Sequence, residues 1–100
     1  ERARSLTMWG VEALCAIRDV RPLLQHTHDS LLQMGAVLLP ESTDVLHMKS
    51  WLYDERSIEV VVHTWQKMPI LRFSVHAHTT QSDLELLVLA VQEYLEERLS

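Results

Sequence analysis

The run Ile70-Leu71-Arg72-Phe73-Ser74-Val75-His76-Ala77 constrains this chain more than any other part of it. Apolar and polar residues alternate with period two, the repeat of a β-strand with one covered face. The alternation assigns Leu71, Phe73, Val75 and Ala77 to one face and Arg72, Ser74, His76 and His78 to the other. The apolar face needs a second layer, and the flanking segments supply one. Upstream, Ile58 to Trp65 is rich in β-branched residues and reads as a second strand. Gln66-Lys67-Met68-Pro69 reads as a four-residue hairpin connection. Downstream, Thr80 is a good N-cap, and Asp83 lies near the positive end of the helix that follows. That helix runs to about Arg98 with Leu84, Leu87, Val88, Val91 and Leu95 on its inner stripe. Leu86 and Leu89 lie on other sides, and a helix apolar on more than one face calls for a second partner.

The first half adds three elements. Arg2 to about Val20 is helical in pattern, with Leu6, Gly10, Ala13, Leu14 and Ile17 on one side. Gly10 costs about 1 kcal/mol relative to alanine inside a helix. It is either a tolerated imperfection or a point where another backbone approaches closely. Arg21-Pro22 ends this helix, because proline disfavours helix in the residue before it. Leu23 to Ser30 is a connecting segment. Leu32 to Leu39, apolar on both sides of the pleat around Gly35, suits a covered strand that Pro40 stops. Ser42, Thr43 or Asp44 can cap a helix to about Arg56, with Val45, Met48 and Leu52 inward and Trp51 at the flank. The expected fold is α+β. A three-stranded, mostly antiparallel sheet comes from Leu32–Leu39, Ile58–Trp65 and Ile70–His78. Helices at Thr43–Arg56 and Ser82–Arg98 cover one face, and an N-terminal helix is added.

One hundred residues make one small domain, residues 1–100, and 47 % apolar residues with few glycines and prolines exclude a disordered chain. The net charge of −5, without a basic stripe, argues against a nucleic-acid partner. No apolar run approaches the ~20 residues of a membrane span, so no membrane partner is expected. Cys15 is the single cysteine. It rules out an internal disulfide, fits a reducing, cytoplasmic setting and reads as a packing residue. The chain begins at Glu1 already in helical pattern, so it is expected to be a piece of something longer.

Arg72 is the leading site candidate. A guanidinium grips a carboxylate or phosphate with two parallel hydrogen bonds, and a strand holds it rigidly. His26-Thr27-His28 and His76-Ala77-His78 are both H-x-H pairs. On a strand, His76 and His78 share a face and make weak candidates for a metal site, without an obvious third ligand. Trp9, Trp51 and Trp65 read as core aromatics, and Glu93, Glu96 and Glu97 as a solvated helix face.

Ile58-Glu59-Val60-Val61-Val62-His63-Thr64-Trp65, a short turn, Leu71-Arg72-Phe73-Ser74 and Thr79-Thr80 opening a helix together resemble the C-terminal small domain of class V aminotransferase-like enzymes. These are pyridoxal-phosphate enzymes of fold type I, and the branch resembled is the isopenicillin-N-epimerase-like one. Its members read "IEVPV…W", "LRVS" or "LRIS", then "YNT". Met34-Gly35-Ala36-Val37 and the helix to Asp54-Glu55-Arg56 fit the same domain, so the resemblance covers nearly the whole chain. It implies that Arg72 binds the α-carboxylate of an amino-acid substrate, which fixes the Cα bond that faces the cofactor ring. It also implies a homodimeric parent whose large domain carries the cofactor. Here His78-Thr79-Thr80 replaces Tyr-Asn-Thr, and the strand at Ile58 lacks the family's proline.

The parts such an enzyme needs for its cofactor are absent from this sequence. Lys49 and Lys67 are its two lysines, and neither sits in a lysine motif of that family. Gly10 and Gly35 cannot make a glycine-rich phosphate loop. The chain alone is therefore expected to bind no pyridoxal phosphate and to be inert. Related cysteine desulfurases carry a cysteine upstream of the arginine, and none lies between Ile58 and Arg72, which disfavours that identity. The parent reaction stays open among epimerisation, transamination and lyase chemistry. The alternatives are a stand-alone protein-binding module of α+β fold and, further off, a metal-binding domain built on the H-x-H pairs. Leu86, Leu89 or the Trp9 side of the first helix, left uncovered, are expected to drive self-association.

Overall fold

A computed structural model of the protein describes residues 2–22, 34–75 and 79–99. Its elements are α1 (Arg2–Cys15), β1 (Arg21–Pro22), β2 (Met34–Leu38), α2 (Val45–Arg56), β3 (Val61–Trp65), β4 (Met68–Ser74) and α3 (Gln81–Leu99). The strands form one sheet in the order β1-β2-β4-β3, with every neighbouring pair antiparallel. β2 and β3 therefore run parallel to each other with β4 between them.

The three helices among the described residues lie against one face. Leu14 of α1, Met48 and Leu52 of α2, and Leu84, Leu87, Val91 and Leu95 of α3 share a core with Val37, Val62, Leu71, Phe73 and Val75. The alternation in β4 is realised: Leu71, Phe73 and Val75 are buried, Arg72 is half-buried and Ser74 is exposed. Phe73, the one phenylalanine, explains both glycines. Gly35 is its partner across the ladder. A Cβ on Gly35 would fall 2.5 Å from the Phe73 ring, and one on Gly10 would fall 2.8 Å from it. Of the two readings of Gly10, neither a mere imperfection nor the approach of a second backbone fits: the close neighbour is the Phe73 side chain.

The sheet has four strands where three were expected. Arg21-Pro22 ends no helix; it pairs with Leu38 and Val37 as a two-residue margin, where a proline without an N–H is tolerated. α1 stops at Cys15 instead of near Val20, and the chain then turns through Asp19 at φ 67°. β3 begins at Val61 rather than Ile58. Ser57 takes a left-handed conformation after α2, and the Ile58 N–H donates back to the Leu52 carbonyl at 2.9 Å. That Schellman-type cap withdraws Ile58 from the sheet. The hairpin turn is two residues, not four: Gln66 and Lys67 have φ 50° and 68°, the type I′ pattern that matches strand twist.

Of the three candidate caps for α2, Asp44 is the one used, accepting the His47 N–H at 3.1 Å. Thr80 caps α3 reciprocally with Asp83. The Asp83 N–H donates to Thr80 Oγ1 at 3.2 Å, and the Thr80 N–H donates to the Asp83 carboxylate at 2.9 Å. α2 and α3 meet at Tyr94, whose hydroxyl lies 2.8 Å from His47 Nδ1 and whose ring packs against Trp51. Arg56 covers Trp51 and pairs with Glu93, so that glutamate is an inter-helix partner rather than part of a purely solvated face. Trp9 and Trp51 pack on the core, while Trp65 is exposed.

Candidate functional site

β3 ends where β4 continues. Val61 faces Arg72, so Phe73 and Ser74 have no strand partner on that side. The gap opens a cleft of about 440 Å³. Its floor is Arg72, Phe73 and Ser74; its walls are residues 58–61, Lys49 of α2, and Thr79, Asp83, Leu84 and Leu87 around the start of α3. Each wall follows from local sequence. The Ser57 cap bends residues 58–60 out of the sheet, and the Thr80–Asp83 box fixes where α3 starts.

Arg72 is half-buried with its stem on a rigid strand. Among the described residues no carboxylate lies within ion-pair distance of its guanidinium, and the two ion pairs are Arg18–Asp19 and Arg56–Glu93. A planar five-donor cation in a cleft, without an ion-pair partner among the described residues, is equipped to take a carboxylate from outside. Lys49 adds a second positive charge, while Glu59 and Asp83 add negative ones, so the cleft has no net sign. Asp83 is engaged in the cap. The apolar contribution comes from Ile58, Val60, Leu84 and Leu87.

The sequence singled out Arg72, and the fold puts it in this cleft. It missed Lys49 and Glu59, whose placement depends on how α2 and the bend after it pack on the sheet. Asp83 was read there only for its charge at the helix start. His76 and His78 lie outside the described residues, as do His26 and His28. Among the described residues no cluster of three or more histidine, cysteine or acidic ligands is present. Burial raises the thiol pKa of Cys15, which is half-buried against the core and not in the cleft. No helix is long and apolar enough to cross a membrane, among the described residues.

No family model matches the chain. An isopenicillin N epimerase from Amycolatopsis lactamdurans is 33% identical over 94 residues, which are 93% of this chain and 23% of that enzyme. The resemblance to isopenicillin N epimerase-like enzymes holds across this domain. A decarboxylase structure from Sulfurospirillum multivorans superposes with a TM-score of 0.72 at 18% identity, over 91% of this chain and 24% of that one. An 8-amino-7-oxononanoate synthase from Francisella tularensis gives 0.63 at 21% identity, over 96% and 28%. These two likenesses establish the fold. The chain spans about a quarter of the length of each of these relatives.

Proposed function

We propose that this chain is the substrate-carboxylate-binding domain of a pyridoxal-phosphate-dependent amino-acid enzyme, with Arg72 as the carboxylate grip. The observation that carries this is a half-buried arginine in a cleft, without an ion-pair partner among the described residues, at the position the epimerase-like pattern reserves for that task. Strand β4 and the Thr80–Asp83 box fix both sides of the cleft, so a bound carboxylate is oriented as well as attracted.

This domain does not itself fit the cofactor. Its two lysines, Lys49 and Lys67, are exposed, Lys67 in the hairpin turn, and its two glycines are both taken up by Phe73. The cofactor, which stabilises charge developing at the substrate Cα, belongs to the remaining three quarters of such an enzyme. The domain alone is inert, and its partners are that larger part, an amino-acid substrate and a second subunit.

The test uses Arg72→Lys, which keeps the charge and loses the two-pronged geometry. In the intact enzyme kcat/KM should fall about ten- to hundredfold, the size of a lost charge-assisted hydrogen bond. In the isolated domain, acetate should shift the Arg72 side-chain N–H and the Phe73 and Ser74 backbone amide resonances, and in the variant those backbone shifts should be lost. Unchanged kinetics in Arg72→Lys would refute the assignment.

A further inference from the structure

β4 runs past the end of β3, and the two ladders fix which of its backbone groups are left over. The Leu39 N–H donates to the Pro69 carbonyl at 2.9 Å, so Pro69, Leu71 and Phe73 turn their main-chain groups toward β2. Ile70, Arg72 and Ser74 alternate with these and turn theirs toward the β3 side. Ile70 and Arg72 meet His63 and Val61 there. Ser74 meets no residue of β3. Pairing ends at Val61, and the Ser57 cap has carried Glu59, next in that register, out of the sheet. Among the described residues neither the Ser74 N–H nor its hydroxyl has a hydrogen-bond partner. Ser74 lines the same cleft as Arg72.

We propose that the Ser74 N–H is a further donor to the substrate carboxylate, an assignment that rests on Arg72 as the carboxylate grip. Two residues of extended chain set the Arg72 and Ser74 Cα atoms about 7 Å apart. The Ser74 N–H lies on the Arg72 side of its residue and the carbonyl beyond it, so an anion held by the guanidinium reaches the donor first. A backbone N–H donating to a carboxylate makes a charge-assisted bond. The strand already fixes that N–H, so no side-chain freedom is lost in making the bond. A guanidinium alone holds the carboxylate from the tip of a long stem; a donor on the strand itself sets its tilt. The Ser74 hydroxyl is the rival donor, since it is exposed and shares the strand face of Arg72.

Titration of this chain with acetate, against chloride at equal ionic strength, separates the two donors, with affinity read at the Arg72 side-chain N–H. Ser74→Ala removes the hydroxyl and keeps the N–H, so the acetate dissociation constant should stay within about twofold of the parent. Ser74→Pro removes both donors and leaves the ladder to β2 intact, and the constant should rise about three- to tenfold. Saturating acetate should also slow hydrogen exchange at the Ser74 amide about fivefold and leave Phe73, already paired with Gly35, unchanged. The exchange measurement keeps the proposal decidable if Ser74→Pro fails to fold. Equal losses of affinity in Ser74→Ala and Ser74→Pro would overturn it in favour of the hydroxyl. Acetate bound at Arg72 with Ser74 exchange unaltered would overturn it and leave the Arg72 assignment standing. No response at Arg72 in the parent would sink that assignment, and this one with it.

Discussion

Arg72 and Phe73 are adjacent on β4 and live under opposite rules. The Phe73 ring sits against the only two glycines of the chain, Gly10 from α1 and Gly35 from β2, with Leu84 of α3 beside it. A Cβ added at either glycine must displace something. Arg72, one residue earlier, takes the opposite side of the strand, is half-buried and lines an open cleft. The strand's period of two separates the jobs: one side chain holds the layers together, and the next is free to meet a ligand. Stability and binding can then change independently, although their Cα atoms are consecutive.

The sharpest way to break the contrast is to empty the slot. Phe73→Ala should cost about 3–5 kcal/mol in urea unfolding, a large share of the ~5–15 kcal/mol of a typical domain. Filling the slot from the other side should cost less. Gly35→Ala would place a Cβ 2.5 Å from the Phe73 ring and 2.9 Å from Val11, for an expected loss of about 1–3 kcal/mol. Pairing it with Phe73→Leu should recover part of that loss, because the two substitutions share one space. Additive losses would show that the ring and Gly35 do not compete.

A smaller effect belongs to the element that joins the two regions. The Thr80 cap fixes the start of α3, which forms a wall of the cleft and delivers Leu84 to the slot. Thr80→Ala should lower stability by about 1 kcal/mol. The smallest stability effect is expected at Arg72 itself. Arg72→Ala should unfold within about 0.5 kcal/mol of the parent, as for surface positions without a structural partner. A large loss there would mean that the guanidinium is structural, and the contrast between neighbours would fail.

Much of this division was legible in the sequence, because it rests on local periodicity. The alternation through Ile70–Val75 gave the inward and outward sets correctly, and the capping residues marked where α2 and α3 begin. What escaped had no periodic signal. Arg21-Pro22 is too short to show an alternation. Gln66-Lys67 lacks the Asn-Gly or Asp-Gly of a typical I′ turn, so its two left-handed residues were invisible. Ser57 in the same conformation shortened β3 by capping α2. The cleft was legible at Arg72 alone. Lys49 and Glu59 reach it only through the packing of α2 and the bend that follows, which no spacing rule reports.

The strand order also sets how the chain must assemble. β3 and β4 are joined by two residues, and such a hairpin closes in microseconds. β4 must also pair with β2, and the chain between those strands holds α2 and β3. That second closure confines a much longer loop, with an entropic cost that grows only logarithmically with length. The β2–β4 register is therefore expected to form after the hairpin, as the longer of the two closures. The residue at that junction is Phe73, paired with Gly35. The packing around Phe73 is thus expected to form with the longer closure, when the two halves of the chain meet.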